Sequence, residues 1–161
     1  MHVEFRSELS VITKSKDLCN YILTITDKSP KKFRFTLVSR LQNYVLSIIE
    51  ALIKANEIYV YSADKSIDMN AVAVRTSLQR DALTELKLLS YMAQVAMEQQ
   101  CILPKQYEQI TRKIYDCQNL LGAWMKNDEK RFNGENKFNV DYVSKNEQRF
   151  ASKYGCARKN M

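Results

Sequence analysis

Apolar residues recur along this chain at intervals of three and four. Val38, Leu41, Val45, Ile48, Leu52, Ala55 and Tyr59 follow one such series, and Tyr107, Ile110, Ile114, Cys117, Leu121 and Trp124 follow another. On an α-helix this spacing puts every member on a single narrow stripe. Two stripes this regular predict long helices packed at shallow angles, as in a bundle. Val11, Leu18, Ile22 and Ile25 outline a further helix, and Val74, Leu78, Ala82, Leu86, Leu89, Ala93 and Ala96 outline another. The predicted helices run from Ser7 to Asp27, Arg34 to Tyr61, Met69 to Gln100 and Pro104 to Lys126.

Local chemistry supports the breaks. Ser29 precedes Pro30, and a residue before proline is biased out of the helical region. The connection from Ser62 to Asp68 is polar, and Asp68 is suited to cap the third helix. Pro104 suits a first helical turn. The fold expected is all-α, an antiparallel up-down-up-down four-helix bundle over residues 1–126. Residues 127–161 are expected to form an irregular basic tail, with a short helix around Ser144 to Lys153. Val72, Met92, Val95 and Met97 lie off the main stripe of the third helix. A face that wide predicts a second contact, either another subunit or the tail folded back.

Composition narrows the classes of function. With 3 Gly in 161 residues, neither a turn-dense β-sandwich nor a glycine-rich phosphate loop is expected. No apolar run approaches the roughly 18 residues of a membrane span, and residues 1–10 carry Glu4 and Glu8 rather than a secretory signal. A cytoplasmic location without membrane contact is expected. Cys19, Cys101, Cys117 and Cys156 are widely separated, and His2 is the single histidine. No metal site or cofactor is therefore expected, and the cysteines are read as small core hydrophobes in a reducing compartment. Glu50, Glu57 and Glu85 lack the Glu-x-x-His pattern of di-iron bundles and are read as solvated or ion-paired. No catalytic residue is expected.

Charge points toward anionic partners. Lys plus Arg total 25 against 18 Asp plus Glu, a formal net charge of +7. From Asp128 onward the excess is +3, so the bundle itself is basic. Lys31, Lys32, Arg34 and Arg40 surround the first inter-helix turn, with Lys14 and Lys16 near in sequence and Phe33 and Phe35 interleaved. Basic groups beside aromatics suit phosphate contacts and base stacking. For the two phenylalanines the favoured reading is instead an anchor of the second helix against the core. A second basic set contains Arg75, Arg80, Lys87, Lys105, Arg112, Lys113, Lys126, Lys130 and Arg131. The nucleic-acid-binding candidates are Lys31, Lys32, Arg34, Arg40, Arg112 and Lys113.

The stretch from Ser29 to Asn43, continuing to Ile49-Glu50-Ala51-Leu52, resembles the start of the second helix in a family of small four-helix bundles. That family includes the proteins of ribosomal RNA intervening sequences and the accessory variability determinant (Avd) of diversity-generating retroelements. Arg80 to Leu89 and Leu120 to Lys126 are similar to its third helix and to the end of its fourth. The resemblance implies a homopentamer that binds RNA or DNA and the retroelement's reverse transcriptase, supporting mutagenic cDNA synthesis without being an enzyme. The rival expectation is a structural or protein-interaction bundle whose charge only maintains solubility.

Overall fold

The computed structural model describes residues 4–132, with side chains from residue 10 onward. It contains four long helices: α1 (Glu4–Asp27), α2 (Ser39–Glu57), α3 (Met69–Glu98) and α4 (Pro104–Phe132). Helix α1 packs on α2 and α4, and α3 packs on the same two helices, which closes an up-down-up-down ring. The expected helix around Ser144 to Lys153, Cys156, and the tail's basic residues beyond Phe132 lie outside the described residues.

The core is built from the stripes. Leu41, Val45, Ile48, Leu52 and Ala55 of α2 are fully buried against Leu18 and Ile22 of α1, Leu86 and Leu89 of α3, and Ile110, Leu121 and Trp124 of α4. Cys19, Cys101 and Cys117 are buried free thiols, and burial pushes each thiol's pKa up. Ser15 donates to Cys117 Sγ at 3.6 Å, joining α1 to α4. At one end of the bundle Ser29 Oγ donates to the Cys101 carbonyl at 2.9 Å, tying the α1–α2 turn to the α3–α4 turn.

The second helix departs from expectation at both ends. Its first residues form a 3₁₀ turn, Lys31–Phe33, followed by a π-helical turn, Arg34–Val38. At its far end α2 stops at Glu57, because Ile58 is extended at φ −72° and ψ 112°. Side chains then alternate with period two: Val60 is buried, while Tyr59 and Tyr61 face outward. Tyr59, expected in the core stripe, is 77% exposed. The polar connection is an ordered turn. Tyr61 bridges to Ile67, Ser62 N–H donates to the Ser66 carbonyl at 2.8 Å, and Asp64 accepts from Ser66 N–H and Oγ. Lys65 supplies the left-handed residue of this turn, at φ 66°. Asp68 caps α3 as expected, accepting from the backbone N–H groups of Asn70 and Ala71.

In α3 the buried line is Val72, Arg75, Gln79, Ala82, Leu86, Leu89, Ala93 and Ala96. These positions keep the alternation of three and four throughout, and two of them are polar. Val74, expected in the core, is 51% exposed, and Leu78 is half-buried. Met92 and Met97 pack onto the main core. The fourth helix runs past Lys126 to Phe132, because Asp128 continues its stripe as a buried residue. Phe132 then closes a small second cluster with Val60 and Val72, beneath the 58–68 connection.

Candidate nucleic-acid interface

Lys31, Lys32, Arg34 and Arg40 are all exposed, and the local backbone explains how they gather. Pro30 accepts from Phe33 N–H at 3.0 Å, which tightens the 3₁₀ turn and turns Lys31 and Lys32 to solvent. Lys32 Nζ lies 4.7 Å from the centroid of the Phe33 ring, while that ring packs onto the core. Phe33 therefore anchors the start of α2. Phe35 does not: it is 89% exposed. At about 100° per residue, a regular α-helix would hold Phe35 within about 60° of the buried Val38. The wider π-helical turn rotates it away from the core.

Lys31 and Arg34 share a cavity of about 360 Å³ between the end of α1 and the start of α2. Asp27, Phe35, Ser39 and Gln42 also line it. Gln42 Nε2 donates to Thr26 Oγ1 at 2.9 Å, and Thr26 Oγ1 donates to the Ile22 carbonyl at 2.7 Å. Buried Thr26 thus cross-links the two helices at the cavity wall and pre-forms it. Arg40 lies outside the cavity lining, on the exposed side of α2.

Arg112 is exposed and Lys113 half-buried on α4, about 12 Å along the axis from Pro104. Lys113 Nζ sits 5.7 Å from the Tyr21 ring centroid of α1. Lys31 and Arg34 on one side and Lys113 on the other thus lie beside α1, in the half of the bundle that holds the α1–α2 turn. Of the wider basic set, Arg80, Lys87, Lys105, Lys126 and Lys130 are exposed. Arg75 is a correction: it is 6% exposed and serves the interior. Its Nε and Nη2 donate to Asp128 Oδ2 at 2.7 Å and Oδ1 at 3.1 Å, and Gln79 Nε2 donates to Oδ2 at 2.8 Å. The guanidinium carbon lies 5.1 Å from the Trp124 ring centroid. Strict continuation of the three-and-four spacing from Ala82 back to Val72 is the signal that reveals Arg75 and Gln79 as interior positions.

A second cavity, of about 320 Å³, lies between α2 and α3 and is acidic. Glu50, Asp81, Glu85 and Lys54 line it. Glu50 pairs with Lys54, which holds its carboxyl below the usual range. Burial pushes the Glu85 carboxyl above its ordinary 4.5, and repulsion from Asp81 adds to this. Glu85 Oε2 is buried without a hydrogen-bond partner. The unfolded chain thus loses this proton first as pH rises. Stability on this account falls from about pH 4.5 upward and stays lower above the folded value. Glu85→Gln is expected to raise the Tm at pH 7 and to give no gain near pH 3.5, as thermal melts at the two pH values will show.

Among the described residues no cluster of three or more His, Cys, Asp or Glu is placed to hold a metal ion. Nor is any described helix long and apolar enough to cross a membrane. Compared with known proteins, a family model described as bAvd-like matches residues 10–128 of the chain. No curated protein matches it.

Proposed function

The chain belongs to the bAvd-like family, whose members are generally non-catalytic accessory proteins, and from that premise we propose an accessory role in a diversity-generating retroelement. In this reading the protein acts in the cytoplasm as a homopentamer. It binds RNA or DNA together with the reverse transcriptase and supports mutagenic cDNA synthesis without catalysing it.

The observation that carries the reading is the family match across the whole bundle of a chain with net charge +7. Exposed Lys31, Lys32 and Arg34 at the start of α2, and exposed Arg112 on α4, fit it. Leu88, Tyr91 and Val95 of α3 remain exposed at intervals of three and four, with Leu46 and Ile53 exposed on α2. These apolar stripes support contact between subunits. Repetition of each basic group in every subunit lets weak phosphate contacts add through multivalency.

Binding of this kind is electrostatic. Affinity falls steeply with salt and varies little with base sequence, since phosphate contacts carry no sequence information. The test is fluorescence anisotropy at several salt concentrations, with wild type and the variant Lys31→Glu/Lys32→Glu/Arg112→Glu. The variant is expected to bind RNA and DNA more weakly, with a log–log salt slope shallower by about 3. Helicity should be unchanged, and light scattering should give about five times the 18.8 kDa chain mass for both proteins. A wild type that binds nothing at low salt overturns the nucleic-acid part of the reading, and a monomeric mass overturns the assembly.

A further inference from the structure

We infer that Phe35 is a stacking platform for an unpaired base, so that the Lys31–Arg34 cavity engages single-stranded nucleic acid. The inference rests on the nucleic-acid reading above and adds the form of the ligand.

Three observations converge on it. First, the Phe35 ring is 89% exposed in the subunit, which leaves its face open to stack on a flat ligand. Second, the ring is turned outward by a π-helical turn, an irregularity frequent at functional sites. Third, it stands on the wall of a pre-formed cavity whose volume of about 360 Å³ falls within the range of small-molecule sites.

The mixed charge of the lining suits a base with its attached phosphate. Asp27 shares the wall with Lys31 and Arg34. Its carboxylate repels a phosphate but accepts from the N–H edge of a base. The cations lie close enough in sequence to meet the flanking phosphates. Base–aromatic stacking tolerates any base, because every base has a π-face. In a duplex the bases are already stacked on one another, so Phe35 adds nothing to duplex binding.

The experiment is an anisotropy titration of the full chain with a labelled 12-nucleotide RNA, the matching DNA, and the corresponding RNA duplex. Phe35→Ala is expected to weaken binding to both single strands by about 5- to 150-fold, the range for one lost stacking contact, and to leave duplex affinity within about twofold. Phe35→Trp should keep single-strand affinity, with indole emission quenched by the single strands and not by the duplex. Equal loss on single strands and duplex, or no loss on either, overturns the inference while leaving the nucleic-acid reading intact. A change of mass in light scattering on Phe35→Ala also overturns it, by assigning the ring to a protein contact. Failure of the wild type to bind any of the three ligands removes the parent reading and this inference with it.

Discussion

Asp128→Ala will destabilise the bundle by about 3–5 kcal/mol, far more than an exposed acidic residue on a helix would. Asp128 is buried with Arg75, and both guanidinium donors and the Gln79 amide point at its carboxylate. Removal of the acid takes away a bidentate anion from a cation held out of water. Truncating one partner of a buried ion pair costs far more than the net worth of the pair. The last turn of α4 should loosen as well, because Phe132 of the Val60–Val72 cluster lies one turn beyond Asp128. The combined change Arg75→Met/Gln79→Leu/Asp128→Leu removes all three of these polar side chains together. It is expected to recover most of the loss, since apolar replacements of buried ion pairs are often neutral or stabilising. Urea unfolding of the two proteins is the measurement. A single variant as stable as wild type would mean that the network contributes nothing to the fold.

Trp124→Ala is expected to cost a further about 3–5 kcal/mol, the range for emptying a large aromatic site in a core. Trp124 is 1% exposed and among the largest fully buried side chains. Its Nε1–H is buried without a hydrogen-bond partner among the described residues, and an unpaired buried donor costs about 1–3 kcal/mol. Trp124→Phe should therefore be much milder than Trp124→Ala, because the smaller ring removes that donor while filling most of the space. The effects of Trp124→Ala and Asp128→Ala should not add, as both disturb Arg75, whose guanidinium lies over the indole. Unfolding has to be followed by circular dichroism, since Trp124 is the chain's single tryptophan. Equal destabilisation by Phe and Ala would show that the shape of the indole, and not its volume alone, is required.

Sequence places the cations of the candidate interface better than its aromatic rings. The cluster of Lys31, Lys32, Arg34 and Arg40 can be read from the sequence, because residues this close along a turn stay close in space. The treatment of Phe33 and Phe35 as equivalent anchors held for Phe33 alone. Interleaving with lysines says nothing about which ring faces inward. That depends on the helical register, and the π-helical turn changes the register over Arg34–Val38. Arg75 belongs by sequence to the second basic set, and its partner lies 53 residues away on α4.

Helix number, order and core stripes followed from the sequence alone, because a helix repeats every 3.6 residues whatever surrounds it. The three-and-four spacing of Leu41 to Ala55 and of Ile110 to Trp124 is a local property, and the structure buries those residues. The same holds for the Asp68 cap, whose carboxylate needs only its own next turn. Spacing along α3 marks Arg75 and Gln79 as interior positions, but tertiary structure alone decided which partner each of them meets there. Arg75, Gln79 and Asp128 are tolerated in the interior because α3 and α4 pack with these positions facing each other, so that Arg75 Nε and Nη2 and the Gln79 amide meet the carboxylate. Tertiary structure also set the end of α4, where packing against Val60 and Val72 extends the helix to Phe132. Burial of a polar group depends on a partner across the fold, and hydrophobic spacing along one helix carries no record of that partner.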